Sequence, residues 1–155
     1  MEKKPYYITT AIEIIEKAVD ILHDNSEQGG VNAQGERLMA EGYVFKSETD
    51  TEVIPNLISY YYTSNNLLQA VSMACKDLKG SFAIEVLCSD NPDKIIVAKK
   101  DSALVIGTSK DANYIASDIP AILSYTKEFY LLADNEIAEI YSDKVKFYNF
   151  DLENI

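Results

Sequence analysis

The chain has 155 residues, the length of one domain, with 25 Asp and Glu against 14 Lys and Arg, a net charge of −11, and 47% apolar residues. That apolar share fills a core and excludes general disorder. The acidic balance argues against nucleic acid and anionic membranes, both of which need basic patches.

No apolar run approaches the ~20 residues of a membrane span. Glu13, Glu16 and Asp20 interrupt the stretch after the first lysines, so no secretory signal is expected. Cys75 and Cys88 read as free thiols of a cytoplasmic protein. With the single histidine, His23, they make no recognisable metal site, and no metal or cofactor is expected.

In chain order, residues 9–23 read as an amphipathic helix: Ile8, Ala11, Ile12, Ile15, Ala18, Val19 and Leu22 recur at three- and four-residue spacing. The polar stretch at 23–35 reads as a loop, followed by a short helix at 34–41 that Gly42 stops. A helix begins near SETDTE (47–52), with Thr49, Asp50 or Thr51 as cap and Ile54, Leu57, Ile58 and Tyr61 as its apolar side. Pro55 is expected just past its first turn, at the cost of one hydrogen bond. The clearest helix is 64–79, capped by Ser64 or Asn65, with Cys75 in its apolar stripe and Gly80 ending it.

Beyond Gly80 the period changes to two. Strands are predicted at 81–88, 94–100, 103–108, 113–117, 128–132, 136–141 and 144–150. The first two pair as a hairpin around SDNPD, the next two around TSKDAN. Asp118 and Pro120 open a short helix, IPAILSY, with Pro in its favoured first position. Helices first, then antiparallel strands, make an α+β chain with no repeat and no linker, hence a single domain over 1–155.

Few side chains point to chemistry. His23 suits the negative end of its helix and has no Ser or Cys to pair with. No phosphate-loop or dinucleotide glycine pattern occurs. Tyr60, Tyr61 and Tyr62 read as the amphipathic edge of a packed helix. SETDTE stands apart: its hydroxyls and carboxylates either cap a helix or place Asp50 where it accepts hydrogen bonds from a ligand's ammonium.

SETDTEVI (47–54), LKGSFAI (78–84), SALVIG (102–107), YIASDIPAIL (114–123) and DNEIAEI (134–140) occur in that order. In sequence and separation they resemble the glutaminase domain of glutamine–fructose-6-phosphate aminotransferase (isomerising), the glucosamine-6-phosphate synthase family. The resemblance covers residues 36–150 and leaves 1–35 as a divergent helix and loop. It implies the second half of an αββα sandwich of the N-terminal nucleophile hydrolase type, incomplete. It also implies glutamine as substrate, its hydrolysis supplying ammonia for amino-sugar synthesis.

In that family an N-terminal Cys attacks the glutamine amide, an Asn-Gly pair makes the oxyanion hole, and an Arg in a TRWATHG block holds the glutamine carboxylate. The Asp of SETDTE, here Asp50, holds its α-amine. This chain departs where the chemistry lies. Position 2 is Glu2, TRWATHG is absent, and the sole arginine is Arg37. The oxyanion pair falls on Asp24 and Asn25, and a carboxylate there repels an oxyanion; a working donor is worth about 3–4 kcal/mol.

A family member without glutaminase activity of its own is therefore expected. The alternatives are a non-catalytic glutamine-binding or assembly module, and one half of a split enzyme completed by a Cys-bearing chain. The sequence stops before any isomerase domain, consistent with a remnant, a degenerate paralogue or a fragment. An incomplete sandwich is expected to bare a sheet face that includes Val97, Leu104, Ile106, Phe129 and Leu131. A homodimer, or association with another amidotransferase or isomerase chain, would cover it.

Overall fold

A computed structural model describes residues 33–46, 50–63 and 66–155. The helix expected over 9–23 lies outside the described residues. Helix α1 (Ala33–Ala40) is followed by Gly42 at φ +91°, the left-handed conformation that ends helices. A 3-10 turn (Asp50–Glu52) runs into α2 (Val53–Tyr61), and α3 (Leu67–Asp77) follows. Pro55 is the third residue of α2, inside the first turn, where an N–H has no acceptor within the helix; the expected loss of a hydrogen bond does not arise. The cap of α3 is Asn66, whose Oδ1 accepts from the Gln69 N–H at 3.2 Å, one residue beyond the expected Ser64 or Asn65.

The strands are β1 (Phe82–Val86), β2 (Lys94–Lys100), β3 (Val105–Thr108), β4 (Asn113–Ala116), β5 (Glu128–Leu131), β6 (Glu136–Tyr141) and β7 (Val145–Asn149). Helix α4 (Ile119–Ile122) lies between β4 and β5, with Asp118 accepting from the Ala121 N–H at 3.0 Å and Pro120 in second place rather than first. All strand pairs are antiparallel. Among the described residues they form one sheet ordered β1-β2-β6-β7 and a second ordered β4-β3-β5.

Strand alternation builds the layers. In β2, Ile96 and Ala98 face α2 and α3 with Leu57, Val71, Ala74 and Phe82, while Val97 faces the second sheet. In β6, Ile137 faces the helices and Ala138 and Ile140 face inward to meet Leu104 and Ile106. A strand buried on both faces reads as a continuous apolar run, which is why KIIVA shows no alternation. Val105 and Ala116 face outward beneath Ile122 of α4. The order is helices, sheet, sheet, helix: an αββα sandwich.

The expectation of a bare inner sheet face is corrected here. Val97 and Ile106 are fully buried and Leu104 nearly so, because the two sheets close on each other. Tyr130 and Phe147 pack across the gap as a tilted pair with ring centres 4.1 Å apart, and Asn113 Nδ2 donates to the Tyr141 carbonyl at 2.7 Å. Of the named residues only Leu131 is largely exposed, and it lies on the outer face of the second sheet, opposite Val105.

Candidate functional site

Asp50 opens the 3-10 turn at the head of α2, the end where the helix dipole favours negative charge. Two residues on, Glu52 Oε1 accepts from the Lys46 N–H at 2.8 Å. Asp24, Asn25 and His23 lie outside the described residues, so Asp50 is the one expected site residue whose backbone place is known. Asp50–Glu52 do lead into a helix, but its cap position is Glu52, without a side-chain cap bond, and not the expected Thr49, Asp50 or Thr51.

The sole arginine is engaged by Asp77. Arg37 Nη2 bonds Asp77 Oδ2 at 2.8 Å, and the Tyr61 hydroxyl donates to the same oxygen at 2.5 Å. Gln34 Nε2 donates to the Asp77 carbonyl at 2.8 Å, and the guanidinium lies 5.4 Å from the Tyr60 ring centre. Burial alone would push the Asp77 carboxyl up, but the bonds from Tyr61 and Arg37 hold it below its ordinary value. Burial and the Asp77 carboxylate push the Tyr61 phenol up. Tyr61 ends α2, eight residue steps from its first residue Val53, or ~12 Å along the axis, so this trio ties α1, α2 and α3 together at the end away from Asp50.

Beside the trio is an open groove of about 400 Å³ lined by Tyr60, Tyr61, Thr63, Gln69 and Met73. Among the described residues its wall holds no carboxylate, amine, imidazole or thiol, so those residues offer hydrogen bonding and apolar contact.

The thiol of α3 is not activated. Cys75 packs among α3's core residues at 2% exposure, and burial pushes its pKa up to about 12. Cys88 does not end a strand as expected. It lies past Val86 in the β1–β2 connection, half-buried, near Tyr62, which accepts from Asn91 Nδ2 at 2.9 Å. Among the described residues no group of three or more His, Cys, Asp or Glu side chains is placed to hold a metal. No described helix is long and apolar enough to cross a membrane.

Two buried carboxyls escaped the sequence reading. Glu139 of β6 accepts from Lys94 Nζ at 2.7 Å, from the Tyr141 hydroxyl at 3.3 Å and from the Tyr148 hydroxyl at 3.2 Å. Burial would raise its pKa, but Lys94 holds it below the ordinary value. Glu85 of β1 shares the inward face with Ala83, opposite Val97, and its buried Oε2 has no partner among the described residues. Burial raises its pKa from 4.5 to about 7. In β6 the only signal was a Glu flanked by apolar residues on a period-two strand, and in β1 likewise.

Residues 30–124 match the glutamine amidotransferase domain family. The chain is 48% identical over 118 residues to glutamine–fructose-6-phosphate aminotransferase (isomerizing) of Clostridium acetobutylicum, covering 76% of this chain and 19% of that protein. It is 50% identical over 112 residues to the protein of the same name from Clostridium perfringens, covering 72% and 18%. The chain thus spans about a fifth of the length of these relatives. Among solved structures, glutamine phosphoribosylpyrophosphate amidotransferase from B. subtilis, complexed with ADP and GMP, superposes with a TM-score of 0.67 at 23% identity. That match covers 78% of this chain and 27% of the other and speaks to the fold.

Proposed function

The chain belongs to the glutamine amidotransferase domain family, and from that premise we propose that it is an amidotransferase-like domain that binds glutamine without hydrolysing it on its own. The observation carrying this reading is the state of the two cysteines. Family chemistry needs a thiol activated by a base. Cys75 is buried with its pKa near 12, and Cys88 has no basic side chain bonded to it among the described residues. Glu2 stands at the position the resemblance assigns to the nucleophile, and Arg37 is engaged by Asp77. In this reading Asp50 receives the α-amine of glutamine at the head of α2, and Asp24 and Asn25 form a degenerate oxyanion position.

The test is glutamate release from glutamine by the purified chain, alongside calorimetric titration with glutamine. The expected result is no release above buffer, with a binding isotherm that Asp50→Asn weakens. Turnover that is lost on substituting Cys75 or Cys88 would overturn the reading.

A second reading is completion by a Cys-bearing chain, with the assembled enzyme feeding ammonia to amino-sugar synthesis. It is favoured by the place of β1, which among the described residues is an edge strand of its sheet and can accept another strand. The outer face of the second sheet supports association too. Leu131 is 64% exposed there, with Leu123 and Tyr125 exposed nearby. Glutaminase activity appearing only when a polypeptide carrying the Cys and TRWATHG blocks is added would favour this second reading over the first.

A further inference from the structure

The hairpin that joins β6 to β7 gathers positive charge in a chain that is otherwise strongly negative. Tyr141 ends β6, and its ring centre lies 5.0 Å from Lys144 Nζ, 5.5 Å from Lys146 Nζ and 5.9 Å from Lys94 Nζ. Backbone geometry sets this convergence. Lys94 is Tyr141's partner across the β2–β6 pair, Lys146 is Glu139's partner across the β6–β7 pair, and the Tyr141 N–H closes the turn onto the Lys144 carbonyl at 2.9 Å. The Asn113 bond to the Tyr141 carbonyl pins the same residue to the second sheet, so the ring is a fixed post.

Glu139, Asp93 and Asp143 equal the three ammoniums in number, but among the described residues only Lys94 of the three is ion-paired. Glu139 spends Oε1 on Lys94 and the Tyr141 hydroxyl, and Oε2 on the Tyr148 hydroxyl. Lys146 acts on Glu139 only through space. Asp93 lies near enough to act on Lys94 and Tyr141, so with Glu139 it answers Lys94. Among the described residues neither Lys144 nor Lys146 has a carboxylate within 4.0 Å, Asp143 in the same turn included. Contact with the ring compensates each exposed ammonium only weakly.

We propose that Lys144 and Lys146, held beside Tyr141, form a binding site for a phosphate-bearing anion. Lysine serves phosphate as a movable point charge with three donors, and two such groups on one rigid ring suit an oxyanion with several acceptors. The site is separate from Asp50 and does not depend on the reading of glutamine binding.

The experiment is a titration of the isotopically labelled full chain with inorganic phosphate, followed by amide and lysine side-chain NMR shifts, with sodium chloride at matched ionic strength as reference. The expected result is a saturable set of shifts confined to Tyr141–Lys146 and Lys94, absent with chloride. The Lys144→Gln/Lys146→Gln double variant should weaken the affinity by about tenfold or more. Lys79→Gln/Lys110→Gln, which removes two exposed charges elsewhere, should leave it unchanged. Shifts that do not saturate, that chloride reproduces, or that persist in the first double variant would overturn the proposal. An equal loss in the second would reduce it to bulk charge.

Discussion

The Ser72 hydroxyl donates to the backbone carbonyl of Phe150 at 2.6 Å, joining α3 to the chain just beyond β7 across 78 positions of sequence. Both residues are buried, at 2% and 7% exposure. The bond satisfies a carbonyl that has left its sheet, and it fixes α3 at the end of the sheet where Phe82 and Phe150 stack. Replacing Ser72 by Ala removes the donor and leaves the acceptor shut away from water. Ser72→Ala is expected to lower stability by about 1–3 kcal/mol. Urea denaturation of the two proteins side by side is the measurement, and an unchanged midpoint would mean the bond contributes nothing.

The two thiols should differ in reactivity. Cys75, buried in the helix–sheet core with its pKa near 12, has almost no thiolate at neutral pH. Cys88 is half-buried in a loop. One fast-reacting and one protected cysteine are expected on labelling with a thiol reagent at pH 8, the second becoming available only in denaturant. Two fast thiols would show that the helix layer does not seal Cys75.

Local signals made much of the fold legible. Each strand's alternation or unbroken apolar run is written within a few residues, and β1–β2 and β3–β4 pair across short turns. What was not legible is non-local. Nothing in EFYLL says that β5 pairs with β3 in the second sheet while β6, only five positions further on, pairs with β2 in the first. That crossing closes the inner face, and without it Val97 and Ile106 looked as if they needed a partner. The α3 cap was ambiguous because Ser64, Asn65 and Asn66 are all good caps and only the register of the apolar stripe on the sheet chooses among them. In the candidate site Asp50 was legible through its motif. Arg37, Tyr61 and Asp77 meet from three helices, 16 to 40 positions apart, and composition treats such side chains as solvated surface.

Gly107 of β3 is a packing requirement of the αββα layering. A Cβ there would fall 2.6 Å from Thr126 Cγ2 and 2.9 Å from Ile122 Cδ1. The missing side chain is what lets α4 and the turn after it rest directly on the second sheet, where Thr126 Oγ1 also donates to the Thr108 carbonyl. Gly107→Ala should lower stability by about 1–3 kcal/mol through overpacking, although alanine ordinarily suits a strand at least as well. Ile122→Val, which shortens one clashing side chain, is expected to recover part of that loss in the double variant. Strict additivity of the two substitutions would refute the assigned contact.

Glu85 makes the stability of the chain depend on pH in a direction opposite to that of a paired carboxylate. Its folded-state pKa is about 7, raised from 4.5 by burial, and its Oε2 has no hydrogen-bond partner among the described residues. Below pH 4.5 the group is protonated folded or unfolded and costs nothing through ionisation. Between 4.5 and 7 the unfolded chain releases the proton while the folded chain keeps it, so this group's contribution to stability falls as pH rises. Above 7 both states are ionised and the penalty levels off at roughly 3–3.5 kcal/mol. Glu139 runs the other way: its pKa is lowered, so its contribution is present above its ordinary value of 4.5 and lost as the pH falls below it. Glu85→Gln keeps the shape and removes the titration. The stability of that variant relative to the parent should therefore rise by roughly 2–3 kcal/mol between pH 4.5 and pH 8, most steeply near pH 6. Subtracting the two denaturation series cancels every titration they share, the Glu139 contribution included. A difference that stays flat across this range would show that Glu85 ionises in the folded chain as freely as in water.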